Sequence, residues 1–482
     1  MPALSNLGRL YDGGAPDVRA GPGGPCHVSG TPNDYPVTPL ALPGESARMR
    51  RALPALLLCL AALVLAACSA PPQAAPTTVT VRLWDDQVAK AYGTSFAEFE
   101  RRNPDVRVQL DVVPYADYFA GLPEQITGGA ADDVFWLNSS YFGSLADSGA
   151  LLDVGALLPG REGRWVPAAV DQYRRGGKLW GVPALTDGRI VVYYNKALLA
   201  KAGVDPAALA WNPDPAKDTL LPALRRLTVD TSGRHPGEPG FDPKAVAVYG
   251  FNAGRDLQAI YYDFVGSNGG RFQDPDGTFA FAEPRSVEAF QYLADLINVA
   301  HVAPDADDTN DNPDFARDAF LAGRLAIFQS GTYNLRNVAD GASFEWGVAP
   351  MVAGPVGRVS VVNSVVAAGN ARTPHRDAVA KVLDWIGSEQ GADPVGGRGA
   401  ALPAVTGSQQ KFFDYWRERG VETAAFGAEG GSATIDPPVG ARFGAGSRAF
   451  NPVFGEIFAG RTPVGPGLQK AQDAANAAIV SG

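Results

Sequence analysis

The sequence is poor in the residues that thiol and soft-metal chemistry need. It has three cysteines, Cys26, Cys59 and Cys68, so the chain beyond them has no disulfide and no thiol nucleophile. Beyond Cys68 the histidines are as sparse: His235, His301 and His375 lie far apart with no cysteine nearby, which argues against a zinc site of ordinary spacing. Basic charge is short too. Lys and Arg number 41 against 51 Asp and Glu, a net charge of −10, so no surplus exists to neutralise nucleic-acid phosphates or an anionic membrane. No phosphate-cradling Gly-x-x-x-x-Gly-Lys-Ser/Thr loop occurs, and Gly444-Ala445-Gly446 follows no strand pattern, so nucleotide binding has no support. The acidic run Asp305 to Asp311 lacks the glycine and the closing glutamate of a calcium loop in every register and reads as a solvated loop. No cofactor and no metal are expected.

Long apolar runs are also scarce. Leu53 to Leu65 is shorter than the ~20 residues that span a bilayer. It follows Arg50-Arg51 and runs into Leu65-Ala66-Ala67-Cys68, the layout of a secretory signal peptide. Small residues directly before a cysteine resemble the lipobox of bacterial lipoproteins, which implies cleavage before Cys68, lipid on its sulfur and a protein held outside the cell membrane. Residues 1–48, Gly/Pro-rich and ending just before Met49, read as an over-extended start or leader; 49–67 read as the signal peptide and 68–78 as a polar, Pro-containing tether. The twin arginine lacks the flanks of folded-state export, so unfolded export is expected.

The rest of the chain is long enough for two or three domains. Val79 to Trp84 alternates in the period of a strand, Val88 to Asn103 keeps Val88, Tyr92, Phe96 and Phe99 on one helical face, and Val106 to Val112 alternates again. That is a parallel βαβ unit. Further strands are expected at Asp133–Leu137, Arg189–Tyr194 and Leu325–Phe328, helices at Glu283–Val299 and Asp314–Ala322, and a hairpin at Phe272–Phe281 around Asp276-Gly277. Thr373-Pro374 reads as an N-cap and first helical residue ahead of Val379, Val382, Leu383 and Ile386. The class is α/β, with packed lobes and no internal repeat.

Four segments carry a family resemblance. They are the opening strand with the helix ending Phe96-Ala97-Glu98-Phe99-Glu100; Gly177-Lys178-Leu179-Trp180-Gly181-Val182-Pro183 leading to Val192-Tyr193-Tyr194-Asn195-Lys196; Ala319 to Ala326 with Ser330-Gly331-Thr332-Tyr333; and Trp346 to Met351. In this order the chain resembles the sugar-binding, maltose-binding-protein-like solute-binding proteins of bacterial ABC importers. The resemblance implies a two-lobed periplasmic-binding-protein-like fold with a ligand cleft between the lobes. It implies crossings near Ala184–Ile190 and Trp346–Met351, an N-terminal lobe of 77–187 plus 350–397, and a C-terminal lobe of 188–349 plus 398–482. It also implies separate permease and ATPase chains as partners, and a monomeric receptor.

A sugar offers apolar faces and a rim of hydroxyls, so its site needs flat aromatics, short polar side chains and carboxylates. Such residues cluster at strand ends, where ligands of open α/β sheets sit: Trp84 and Asp85 after the first strand, Tyr115 after the second, Asn138 after the third. By the resemblance, Asp187 and Asn363 join from the same lobe, while Tyr262, Asn268, Gly270 and Tyr333 face them, and Arg398 is a further candidate. Each has an ordinary structural alternative: the aromatics as packing, Asn268-Gly269-Gly270 as a turn, Asp187 as a backbone cap. The function expected is capture of a sugar or oligosaccharide for a permease, with no catalysis. A polyol, phosphodiester or polyamine is the alternative cargo. A secreted glycoside hydrolase is the competing class and would need two carboxyl groups ~5–9.5 Å apart.

Overall fold

The computed structural model describes residues 75–481 apart from 120, 311, 428–430 and 441. The leader, the signal segment, Cys68 and most of the tether lie outside the described residues. Strand β1 (Thr77–Leu83) turns Val79, Val81 and Leu83 inward with no exposure. Helix α1 (Asp86–Arg102) follows, capped by Asp85 and ending in Arg101 and Arg102, which suit the negative end of the helix dipole. Strand β2 (Val106–Val112) then pairs parallel to β1, completing the βαβ unit. Strand β3 (Val134–Asn138), buried at every position as a central strand should be, lies parallel on the other side of β1 and leads into helix α2 (Ser139–Asp147).

The chain continues through β4 (Val182–Thr186), crosses, and starts a second sheet with β5 (Val191–Asn195). Helix α3 (Pro284–Asn298), N-capped by Glu283, and strands β6 (Ile327–Ser330) and β7 (Trp346–Pro350) follow. Next come β8 (Val359–Val361), β9 (Ser364–Gly369), helix α4 (Arg376–Ile386), β10 (Ala433–Ile435), and the packed helices α5 (Phe443–Phe458) and α6 (Val464–Ser481). The first sheet has the order β2-β1-β3-β9-β4, with β9 antiparallel to both neighbours; the second is the antiparallel β6-β5-β7; β8 and β10 form a small parallel pair.

Three cores fill these layers. One surrounds the first sheet and joins Val81, Trp136, Val366 and Leu383. The other two lie on opposite faces of the second sheet, so β5 gives Val192 to one, with Trp211, Phe264 and Phe454, and Val191 and Tyr193 to the other, with Phe328 and Trp416.

Several local expectations shift. The second crossing is not at Trp346–Met351: β7 pairs with β5 along its whole length, from Trp346 opposite Asn195 to Pro350 opposite Val191. The chain returns later, between Val361, which packs in a second-sheet core, and Val366, which packs in the first. Helix α4 begins at Arg376 rather than after Thr373, because the Thr373 hydroxyl donates to Asp133 Oδ1 at 2.5 Å and accepts the His375 N–H at 3.0 Å. The hairpin at Phe272–Phe281 reduces to a turn at Gly277 with a single bridge between Gln273 and Phe279.

Candidate functional site

The first wall of the candidate site grows from the ends of β1, β2 and β3. Trp84 leaves β1 into a nest of rings, edge-on to Tyr118 at 4.9 Å, Trp136 at 5.0 Å and Tyr115 at 5.5 Å between centroids. Beneath it the Tyr118 hydroxyl accepts the Trp136 N–H at 2.9 Å, which ties the turn after β2 to β3. Asn138 closes β3 and spends both ends of its amide: Oδ1 caps α2 by accepting the Ser140 N–H at 3.2 Å, and Nδ2 donates to the Tyr115 hydroxyl at 3.2 Å. Asp85 is likewise committed, its Oδ1 accepting the Gln87 and Val88 N–H groups at 2.8 and 2.9 Å.

Tyr115 is 51% exposed, yet desolvation raises its hydroxyl above the ordinary range, with further upward pressure from Tyr141, Asp256 and Asp187. Tyr115 therefore stands near enough to Asp256 and Asp187 to feel their charge. Phe119 and Tyr141, which the strand-end reasoning missed, stack at 3.8 Å and 7° beside Tyr115. Their only sequence signal is position, within a few residues of the same strand ends.

The crossing forms the floor. Asp187 follows Thr186 of β4, and its N–H donates to the Asn363 carbonyl at 2.8 Å, holding the two crossing segments together. Asn363 uses its own Oδ1 to accept the Ser364 N–H at 2.9 Å. Tyr173 donates its hydroxyl to the Ser364 carbonyl in a very short contact, and Gln172 Oε1 accepts the Ser364 N–H at 2.9 Å. Gly188 must be glycine, since a Cβ there would meet the Phe426 carbonyl at 2.9 Å and Thr332 at 3.0 Å. On the second-sheet side, the Ile190 N–H donates to Ser360 Oγ at 2.8 Å.

The second wall is a wide helical turn, Leu257–Tyr261, capped by Asp256, whose Oδ1 accepts the Gln258 and Ala259 N–H groups at 2.9 Å each. Gln258 reaches the floor: its Nε2 donates to Asp187 Oδ2 at 2.6 Å. Tyr333 lies against Gly331, where a Cβ would fall 2.3 Å from the ring. Burial pushes the Asp187 carboxyl up to about 7, against the pull of the Gln258 hydrogen bond. Desolvation also raises Asp256, against its two backbone hydrogen bonds, and raises the Tyr333 hydroxyl, which both carboxylates push further. The cleft therefore holds two carboxyl groups among phenols, a surface that accepts hydrogen bonds from hydroxyl or amine donors and stacks against apolar rings.

Trp84, Tyr115, Asn138, Asp187 and Tyr333 thus converge, with Asn363 behind the floor. Other expected residues go elsewhere. The Asn268 amide donates to the Arg285 carbonyl at 2.7 Å and Glu288 Oε2 at 3.0 Å, and a Cβ on Gly270 would meet Glu283 and Ser286 at 2.8 Å, so this turn is fitted to α3. Tyr262 donates its hydroxyl to the Asp436 carbonyl at 2.8 Å and sets its ring edge-on to Phe272. Arg398 is exposed just after the helix Glu389–Gly397, where its carbonyl accepts from Arg336 at 3.2 Å. A separate groove of about 610 Å³ at the end of α1, lined by Phe99, Asn103, Lys381 and Trp385 among others, contains none of the cleft residues. Among the described residues no cluster of His, Cys, Asp and Glu could hold a metal, and no helix is long and apolar enough to cross a membrane.

Comparisons with known proteins follow the same outline. The model of the family described as bacterial extracellular solute-binding protein matches residues 84–393. The crystal structure of UspC from M. tuberculosis is 51% identical, covers 83% of this chain and 100% of its own, and superposes with a TM-score of 0.67. An ABC substrate-binding protein of Listeria monocytogenes in complex with cycloalternan is 23% identical over 84% of this chain and 99% of its own, with a TM-score of 0.72. Among curated sequences, the arabinooligosaccharide-binding protein of Bacillus subtilis is 24% identical over 52% of this chain and 54% of its own length. The Listeria and Bacillus relatives are named as binding proteins, and the likeness to the solved structures carries the two-lobed α/β fold.

Proposed function

The chain belongs to the bacterial extracellular solute-binding protein family, and from that premise we propose that it captures a sugar or oligosaccharide in the cleft and hands it to the permease of an ABC importer. The observation that carries this reading is the nearness of Tyr115, which packs on Trp84 beside the first core, to Asp256 and Asp187, the same two carboxyl groups that act on Tyr333. Stacked rings supply faces for the C–H surfaces of a pyranose, and the carboxyl groups supply acceptors for its hydroxyls. Relatives bound to cycloalternan, maltotriose or mannotriose support the same class of cargo. The chain acts as a receptor and not an enzyme; its relatives are binding proteins.

The lobes in this reading are residues 77–187 with 364–401, and 188–363 with 406–482; between them Leu402 packs in a second-sheet core and Val405 in the first. They rotate about Gly188 and Val362. Ligand contacts made to both lobes favour the closed state, and only that differential affinity shifts the population. Cys68 carries the lipid that holds a monomeric receptor at the outer face of the membrane.

The test is thermal unfolding of the full chain against mono- and oligosaccharides, polyols and polyamines. Ligand at 100 times its Kd adds about 2.7 kcal/mol, which for ~400 folded residues shifts the midpoint by roughly 3 °C. A selective rise with one sugar class, without its turnover, is expected. A flat response to all sugars, or a rise with a polyamine alone, contradicts the reading.

A further inference from the structure

Gln258 stands in an unusual piece of backbone. It lies in the five-residue turn Leu257–Tyr261, whose hydrogen bonds run wider than those of an α-helix, a geometry that is rare and concentrates at functional positions. The turn is braced from behind by a buried amide network. Gln329, with no exposure, donates its Nε2 to the Ala259 carbonyl at 2.7 Å and accepts the Val352 N–H on Oε1 at 3.0 Å. Its backbone is in turn paired twice with the Asn252 side chain, at 2.7 and 3.0 Å. Asp256 fixes the turn at its start. Every amide of this frame is satisfied, so it is rigid, and the group that projects from it is the Gln258 carboxamide, 2.6 Å from Asp187 Oδ2.

The two partners move with different halves of the molecule. Asp187 directly follows Thr186, which pairs with Ser364 in the first sheet, and lies ahead of Gly188. Gln258 is flanked by Ala259 and Ile260, which pack in a second-sheet core. Any rotation about Gly188 and Arg189 must stretch this hydrogen bond. We propose that Gln258 is the positioning residue of closure, its amide clasping Asp187 across the crossing and biasing the empty protein toward its closed form. This rests on the reading of the chain as a hinged receptor. The clasp raises the fraction of molecules in the closed state.

The experiment measures distance across the cleft without ligand. Spin labels are placed by Asp117→Cys and Asp436→Cys, both at exposed positions, in the full chain with its own three cysteines changed to serine. A hydrogen bond to a charged group implies that Gln258→Ala lowers the ratio of short- to long-distance molecules about tenfold. Asp187→Ala is expected to do the same, and the double variant to go no further, because both remove one interaction. Gln258→Met, which keeps the length of the side chain but not its amide, guards against a packing defect and is expected to behave like Gln258→Ala. An unchanged distribution in Gln258→Met, or a double variant that opens by the product of the two single effects, overturns the proposal. Because no sugar is present, a failure here is distinct from a failure to find a sugar that binds.

Discussion

The two walls of the cleft are built on different physical plans. The first stands on strand ends: Trp84, Tyr115 and Asn138 sit where β1, β2 and β3 stop, and their neighbours Tyr118 and Trp136 belong to the core of the sheet. The second stands on a wide turn with a hydrogen-bonded amide frame that carries Asp256 and Gln258, and on the turn Thr332–Asn334 after β6, which carries Tyr333. An aromatic wall takes its rigidity from packing, and its loss costs stability as well as binding. A polar wall takes its rigidity from hydrogen bonds, and its parts can be altered with less damage to the fold. That difference predicts how each wall fails.

The largest effect is expected on the aromatic side. Trp84→Ala removes a ring that touches four others and leaves a hole against the first core, so it should cost about 3 kcal/mol of stability and weaken sugar binding more than tenfold; denaturant unfolding alongside calorimetric titration separates the two losses. Next comes the frame of the polar wall. Gln329→Leu leaves the Ala259 carbonyl and Val352 N–H without partners in a buried place, a loss of about 2–3 kcal/mol, and should loosen the 257–261 turn by faster amide exchange while leaving exchange in β3 unchanged. Tyr333→Ala is expected to weaken binding about tenfold with a smaller change in unfolding midpoint than Trp84→Ala produces; equal losses of stability in the two variants would erase the contrast between the walls.

A pH scan is gentler. The Asp187 carboxyl is raised in the folded protein to about 7 from an ordinary 3.8, so the folded state binds this proton more tightly than the unfolded one. Its contribution to stability is full below about pH 4, falls as pH rises toward 7 and is gone above that. Asp187→Asn should flatten the midpoint of unfolding over that window. The smallest effect on binding belongs to Asn268→Ala: stability falls by about 1 kcal/mol through the loss of its bonds to Arg285 and Glu288, and sugar affinity is expected to stay within twofold.

The same contrast decides what could be read from residues alone. Parallel strands announce their ends by alternation followed by a polar or aromatic residue, so the βαβ unit and the position of Trp84, Tyr115 and Asn138 at strand ends were legible. The passage from the first sheet to the second after Thr186 lies within Ala184–Ile190, where the family resemblance implied a crossing. Asp256 and Gln258 were not legible, because Asp256-Leu257-Gln258 has no periodicity and looks like any helix start; what singles it out is a hydrogen-bond frame centred on Gln329, distant in sequence. Asn268-Gly269-Gly270 misled for the opposite reason. Its polar, permissive residues suit a ligand loop and a fitted turn equally, and only the partners in α3 distinguish them. The resemblance implied a second crossing near Trp346–Met351, but that segment pairs with β5 along its whole length, a long-range fact that residues alone do not carry.

The claim at the centre is that one ligand bridges two unlike walls. Amide hydrogen exchange of the full chain, with and without the sugar that gives the largest thermal shift, tests it directly. The account predicts that protection rises together around Tyr115–Phe119 and Leu257–Tyr261, with the turn at Asn268 unaffected. Protection confined to one wall, or centred on Asn268, would contradict it.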